Sequence, residues 1–143
     1  MCEKRYEQML SERAIKITAL RTLILKVMSG SNVAMSLTDL ENALETVDKS
    51  TISRTLNLFH EKHLIHSIDD GTGSVKYSVC SDDCDCILED QHIHFHCNQC
   101  NKTFCFRKTS IPVITLPIGF QVENVNFVLK GLCASCRKMQ SYC

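Results

Sequence analysis

The positions of the cysteines constrain the fold of this chain more than any other feature. Cys2 is the only one of the ten cysteines that precedes Cys80, and the other nine lie in the last 64 of the 143 residues. Two CxxC units, at 97–100 and 133–136, are separated by 32 residues. Each unit can supply two thiolates to one ion, and two units complete a tetrahedral zinc site. The spacing therefore predicts a structural Zn²⁺ ion with four ligands: Cys97, Cys100, Cys133 and Cys136.

A disulfide framework is the other common reason for a high cysteine content. The chain begins MCEKRYEQML, which lacks the apolar stretch of a secretory signal peptide. A cytoplasmic location, where thiols stay reduced and bind metal, is therefore expected. Two unrelated thiol pairs are a further alternative, but the regular spacing favours a shared ion. No apolar run approaches the ~18 residues of a membrane span, so no membrane partner is expected.

The thiol-poor first half of the chain has the apolar periodicity of helices. One helix is predicted between Ala14 and Met28, and the small polar residues and glycine at 29–32 end it. Its predicted inner face consists of Leu20, Leu23, Ile24, Val27 and Met28. A second, shorter helix follows a predicted N-cap at Ser36. Its predicted inner face consists of Leu37, Leu40, Leu44 and Val47.

A third predicted helix leads into a β-hairpin. The helix begins near Ser50 or Thr51, runs to about His63 and buries Ile52, Leu56 and Phe59. Two β-prone runs, at 64–69 and 74–80, flank a turn that contains Asp-Gly. In the second run, one face is expected to hold Val75, Tyr77 and Val79. Three helices followed by a hairpin predict a winged helix-turn-helix, although a small helical domain of another purpose has the same periodicity.

The start of the third helix carries side chains that suit DNA. Hydroxyls and cations at a helix N-terminus can bind phosphates and base edges. This helix offers two cations, Lys49 and Arg54, and the hydroxyls of Ser50, Thr51 and Ser53. An ordinary capped and solvated helix would have the same residues. The 16 Lys+Arg balance the 16 Asp+Glu, so net charge does not favour a nucleic acid partner.

A second set of candidate metal ligands precedes the first CxxC unit. In the run HIHFHC at 92–97 the histidines alternate with other residues, so on a strand they share one side. Aligned imidazoles are a metal-ligand pattern, and three solvated histidines on an exposed strand would look identical. His66 and Cys80, at the start and the end of the predicted hairpin, could add ligands if the two halves meet.

In this order the motifs resemble the ferric uptake regulator (Fur) family of metal-responsive repressors. The resemblance runs from about Lys16 to Arg137 and includes TALR at 18–21, TISRTL at 51–56, HxHxxCxxC at 92–100, GF at 119–120 and GLC at 131–133. It implies an α+β fold with a winged helix-turn-helix DNA-binding domain over 1–80. A hinge or insertion loop over 81–90 would then lead to a small C-terminal α/β dimerisation and metal-binding domain over 91–143.

The resemblance also implies a homodimeric repressor that binds operator double-stranded DNA when a metal ion in the hinge closes its winged helices. Lys16 matches a residue that reaches the minor groove, Arg21 a phosphate contact and Arg54 a base-reading arginine. Ser53 stands where the family usually has a tyrosine that stacks on thymine methyl groups. Because serine lacks that apolar face, a different operator preference is expected. No enzyme is expected, since the zinc-deaminase pattern of HxE followed by PCxxC is absent.

The regulatory metal is expected to be a second divalent ion in the hinge. The ligand positions of zinc-sensing members match His66, Cys80, His92 and His94, and Cys105 is a further candidate. Ala34 and Ser78 occupy the places of two ligands of the iron-sensing members. A thiolate with imidazoles suits Zn²⁺ better than Fe²⁺ or Mn²⁺, so the chain looks most similar to the zinc-sensing branch.

Two alternatives remain open from the sequence. One is an iron-responsive or peroxide-responsive regulator of the same family. The other is a thiol-rich metal buffer or redox switch that does not bind DNA. Cys84 and Cys86 lie in the acidic run at 81–86, where an exposed hinge loop and an auxiliary soft-metal or oxidation site are both possible.

Overall fold

The fold pairs an N-terminal helical unit with a small C-terminal sheet. The computed structural model describes residues 2–31, 33–79, 93–106, 109, 111–123 and 125–140. The helices in these residues are α1 (Cys2–Glu12), α2 (Ala19–Ser29), α3 (Leu37–Ala43), α4 (Lys49–Glu61) and α5 (Ala134–Gln140). The strands are β1 (Met35–Ser36), β2 (Ile65–Ile68), β3 (Lys76–Val79), β4 (Ile93–Cys97), β5 (Thr103–Phe106) and β6 (Val128–Gly131). The predicted α+β class is confirmed.

The N-terminal unit packs four helices against a three-stranded sheet. Its sheet has the order β1-β3-β2, and β2 and β3 form the predicted antiparallel hairpin. The buried core takes side chains from α1 to α4 and from both hairpin strands, and Phe59, Ile24 and Leu40 are fully enclosed. Short β1, which the sequence did not predict, pairs with β3 through Met35 and Ser36.

Helix α2 corresponds to the first of the three predicted helices. It differs from the prediction in where it begins and in which side faces the core. It begins at Ala19 because Thr18 is its N-cap and accepts a hydrogen bond from the backbone N–H of Arg21. The predicted start at Ala14 is wrong, since that residue has a positive φ of 56°. Leu23 is 41% exposed, whereas Leu25 is fully buried, so the inward face is rotated from the predicted one.

Side-chain caps start the next two helices. Ser36 is the N-cap of α3, as predicted, and forms a capping box with Asp39 at 3.1 and 2.9 Å. Asp48 caps α4 by accepting from the backbone N–H of Thr51 at 3.1 Å. The predicted inner residues of α4 are all buried, and the helix ends at Glu61 rather than at His63.

The C-terminal sheet has the order β5-β4-β6. Strand β4 runs antiparallel to β5 and parallel to β6, so it is the central strand. The segment between β5 and β6 forms no helix or strand among its described residues, and it exposes several large apolar side chains. None of the helices in the described ranges combines the length and the hydrophobicity that a bilayer crossing requires.

Backbone contacts join the helical unit to the C-terminal sheet. Val33 forms an isolated antiparallel bridge with Phe104, and the Ala34 N–H donates to the Thr103 carbonyl at 2.9 Å. Beside the hairpin turn, the Asn126 side-chain amide donates to the Asp69 carbonyl at 2.8 Å. The loop before α3 and the hairpin turn are thus both attached to the sheet.

Candidate metal centres and nucleic-acid interface

The first candidate centre is the four-cysteine cluster predicted from the CxxC spacing. Cys97 is the last residue of β4, and Cys100 lies in the turn that follows. Cys133 directly precedes α5, and Cys136 lies in its first turn. All four Sγ atoms lie within 4.8 Å of one another. The Cys100 and Cys133 sulfurs are 3.9 Å apart, close to the edge of about 3.8 Å of a tetrahedron with metal–sulfur bonds of about 2.3 Å. The arrangement fits one tetrahedral Zn²⁺ ion.

The thiols of this cluster differ in their affinity for protons. Hydrogen bonds from the backbone N–H groups of Cys100 and Cys133 lower the pKa of Cys97 to about 6. The opposite effect acts on Cys136, because hydrogen bonding with Cys133, burial and the other neighbouring thiols raise its pKa to about 12. Four sulfurs this close cannot all ionise without a compensating cation. A divalent ion would supply that charge and displace the protons.

The second candidate centre joins the hairpin to the C-terminal sheet. His66 lies on β2, whereas His94 and Cys105 are paired in register on β4 and β5. Their ligand atoms lie within 4.8 Å of one another, and the two imidazole centroids are 5.6 Å apart. His94 is buried, and the other two side chains are half-buried. The structure therefore collects two nitrogens and one sulfur from sequence positions that are far apart.

This donor set fits a transition metal ion, because imidazole and thiolate are ligands that Zn²⁺ accepts readily. Cys105, the further candidate in the sequence, lies in the set together with His66 and His94. The other two predicted ligands, Cys80 and His92, lie outside the described residues, as do Cys84 and Cys86. Three donors leave one position of a tetrahedral ion for another ligand.

His96, the last histidine of the HIHFHC run, belongs to a different group. Its Nδ1 is 3.0 Å from Thr103 Oγ1 and 3.3 Å from Asp70 Oδ2. The Lys76 ammonium lies 2.5 Å from the same Asp70 oxygen. Asp70, Lys76, His96 and Thr103, here called the Asp70 cluster, are all buried. The cluster was not predicted from the sequence, because a lysine on a hairpin strand is ordinarily expected to be exposed to solvent.

Burial opposes the ionisation of Asp70, but hydrogen bonds outweigh it. The side chains of Lys76, Thr72 and Thr103 donate to the carboxylate and hold the pKa of Asp70 well below its usual range. The buried charge of Lys76 is therefore matched by an ionised partner. A buried charge without such a partner would destabilise the fold by several kcal/mol.

The candidate DNA-contacting residues lie on α4, on α2 and in the segment before α2. Lys16 is exposed, and Arg21 Nη1 donates to its carbonyl at 2.8 Å. On α4, Arg54 is exposed and Ser53 is half-buried. The hydroxyls of Ser50 and Thr51 both donate to Asp48, at 2.5 and 2.6 Å. Asp48 is the cap, and these two hydroxyls are further hydrogen-bond donors to its carboxylate. The DNA contacts of the six candidate residues stay predictions.

Taken together, the winged-helix order and the two ligand clusters define a metal-binding protein of the winged-helix type. The ferric uptake regulator family matches residues 12–129, and the chain belongs to this family. It is therefore a metal-responsive, DNA-binding transcriptional regulator and not an enzyme. The family prediction made from the motifs is confirmed at this level.

Individual relatives are distant. The ferric uptake regulation protein of Campylobacter jejuni is 24% identical over 148 residues, covering 96% of this chain and 90% of that protein. The peroxide operon regulator of Bacillus subtilis is 23% identical over 141 residues, covering 93% and 92%. A zinc uptake regulator solved in complex with zinc and DNA has 20% identity and a TM-score of 0.67, covering 97% of this chain and 95% of that chain. The similarity to that structure establishes the fold.

Proposed function

We propose that this chain is a zinc-responsive repressor of the zinc-sensing branch of its family. A zinc ion bound by His66, His94 and Cys105 would connect the winged-helix hairpin to the C-terminal sheet, with Cys80 and His92 as candidates for the remaining ligand. The observation that carries the proposal is that one ligand comes from the hairpin and two come from the sheet. An ion bound by both units restricts their relative orientation, and that orientation determines where α4 meets DNA.

The donor chemistry supports zinc over the other metals that the family senses. Fe²⁺ and Mn²⁺ are bound by harder sets that include carboxylates, whereas this set has two imidazoles and a thiol. At a site of nitrogen and sulfur ligands, the usual order of affinities also places Zn²⁺ above Fe²⁺ and Mn²⁺. A regulator of iron or peroxide response is therefore the second candidate. The four-cysteine cluster would hold a separate structural zinc ion.

A homodimer is the assembly that the exposed apolar surface supports. Between β5 and β6, Val113 and Ile118 are almost completely exposed and Phe120 is 70% exposed. Large apolar side chains exposed within one segment are expected at an interface with another protein when they form one patch. A second copy of the chain would cover it and would place two winged helices against one operator.

The experiment measures operator affinity against free zinc. An operator is first selected from random-sequence duplex DNA, and binding is then measured over a range of buffered Zn²⁺ concentrations. Substituting both His66→Ala and Cys105→Ser should shift the zinc dependence to at least about tenfold higher concentrations, because two of three ligands are lost. Repeating the titration with Fe²⁺ and Mn²⁺ ranks the metals.

His60→Ala is the matched control. His60 lies near the same hairpin and contacts Ser67, but it is outside both ligand clusters. The control should respond to zinc as the natural chain does. An unchanged zinc dependence in the double variant would refute the sensing role, and loss of DNA binding at every zinc concentration in the control would point to damage of the hairpin instead.

A further inference from the structure

We propose that the Asp70 cluster positions the hairpin on the C-terminal sheet without any metal, and thereby keeps His66 within reach of His94 and Cys105 before the ion binds. This inference rests on the proposed function, because it assigns residues that support the hinge site. The residues concerned are not ligands, so they are positioning residues.

The cluster connects the same two units as the metal site. Asp70 and Lys76 belong to the hairpin, whereas Thr103 and His96 belong to the sheet. Thr103 Oγ1 donates to Asp70 at 2.8 Å, and Lys76 Nζ donates to Thr103 Oγ1 at 3.2 Å and to the Asn101 carbonyl at 3.3 Å. The hairpin is thus bonded to the sheet by a charged and buried network.

The two sites lie side by side on the same strands. His94 pairs with Cys105, and His96 pairs with Thr103 two residues further along β4. Residues two apart on a strand are about 6.6 Å apart and share a face. A single contact leaves a hairpin free to rotate about it, whereas two contacts along its length fix the angle. The Asp70 cluster supplies a contact that needs no ion, in addition to the hydrogen bond from Asn126 to Asp69.

His96 is the third histidine of the HIHFHC run, and it belongs to this network. The Thr103 hydroxyl donates its only proton to Asp70 and accepts from Lys76. The contact of 3.0 Å from His96 Nδ1 to the same oxygen therefore requires a proton on that nitrogen. His96 therefore joins the network through its Nδ1–H, while His94 lies with the other ligands.

Preorganisation of this kind raises metal affinity. A protein that must order its ligands when the ion arrives binds less tightly than one whose ligands are already placed. Loss of the network should therefore weaken the hinge site, and the four-cysteine site should be unaffected because it lies wholly within the C-terminal unit.

The test compares Thr103→Val with Thr103→Ser in the full chain. Valine keeps the shape and removes the hydroxyl, whereas serine keeps the hydroxyl. Zinc is titrated against a competing chelator, after the tightly held zinc has been counted. Thr103→Val should weaken the exchangeable site by at least about fivefold, the lower end of coupling between linked events. Thr103→Ser should stay within about twofold of the natural chain, a margin well below that coupling.

A second measurement does not depend on the hinge ion. The Ala34 amide donates across the junction to the Thr103 carbonyl, and its exchange is measured in protein that holds only the tight zinc. Its hydrogen exchange should be faster in Lys76→Met than in the natural chain. Lys102→Met is the matched control, because Lys102 is exposed and its side chain lies outside the cluster. That control should exchange like the natural chain.

The outcomes separate the two proposals. If the natural chain binds no exchangeable ion, the proposed function fails. If it binds one, but Thr103→Val retains its affinity, the positioning role is wrong. Equal exchange rates at Ala34 in Lys76→Met and Lys102→Met would also overturn it. Loss of the tight zinc from Thr103→Val would contradict the claim that the four-cysteine site is independent.

Discussion

Single side chains of the four-cysteine cluster hold protons that a metal ion must displace. Cys97 has a pKa of about 6 and is largely ionised at neutral pH, whereas the pKa of Cys136, about 12, keeps its proton on. Zinc binding at pH 7 therefore releases at least the proton of Cys136, and the affinity should rise with pH. The CxxC spacing was sufficient to predict the cluster, since each unit brings its own two sulfurs together.

Substituting Cys136→Ser should remove the structural zinc. Three sulfurs and a hydroxyl bind Zn²⁺ poorly, and an ion held by the four sulfurs would link the end of β4 to α5. We expect the variant to lose its metal on dialysis against a chelator and to unfold at a lower temperature. Cys105→Ser, which changes a thiol outside the cluster, should retain the tight zinc. Equal zinc retention by both variants would contradict the assignment.

The Asp70 carboxylate makes the stability of the fold depend on acidity. Because its pKa is lowered on folding, its contribution is complete above the ordinary carboxyl value of about 4 and is lost as the pH falls below that value. Between about pH 5 and about pH 3, the free energy of unfolding should fall more steeply for the natural chain than for Asp70→Asn.

Chemical denaturation at a series of pH values measures this slope. Asp69→Asn is the matched control, because Asp69 lies in the same turn but is exposed. Loss of zinc in acid affects all three proteins, so the difference between the variants isolates Asp70. If the free energy of unfolding changed with pH in the same way for the natural chain and Asp70→Asn, folding would not lower the pKa of this carboxyl group.

Among the helices and strands, local chemistry determined which features could be predicted. The N-cap at Ser36 and the hairpin were predicted because short polar residues and an Asp-Gly turn are local signals. Helix α1 was missed, since its composition is polar and its burial depends on distant partners such as those around Leu10. The inward face of α2 could not be fixed before the cap at Thr18 set where the helix begins.

The capping box of α3 gives a prediction at this scale. Ser36→Ala removes the acceptor of the Asp39 N–H in a buried position. Such a change costs about 1 kcal/mol of the free energy of unfolding. Ser29→Ala, at the exposed end of α2, should stay within about 0.5 kcal/mol of the natural chain. Urea denaturation measures both, and equal midpoints would show that the box does not stabilise α3.

For the whole molecule, the contacts between the two units were the least predictable part. His66 and Cys105 are far apart in sequence, and only the resemblance to a family placed His66 near the C-terminal histidines. The pairing of Lys76 with Thr103 depends on how the hairpin lies across the sheet, and residue spacing contains no information about that placement. Membership of the family was predictable because its specific motifs, the HxHxxCxxC run and the later CxxC, are each short and local in the sequence.

Ile118→Asp should convert the proposed dimer to a monomer. This side chain is fully exposed in the single chain and would be buried by a second copy, where an unpaired carboxylate is strongly unfavourable. Sedimentation velocity should give the mass of one chain for the variant. Val75→Asp, which changes a half-exposed residue on the hairpin turn, should remain dimeric. A monomeric natural chain would refute the proposed assembly.

The position of Thr103 between the two units has a consequence for the genetics of this regulator. Its carbonyl accepts from the loop before α3, and its hydroxyl joins the hairpin carboxylate, although it binds neither metal nor DNA in the proposed scheme. A selection for mutants that ignore the metal signal should therefore return codon 103 alongside the codons of the ligands.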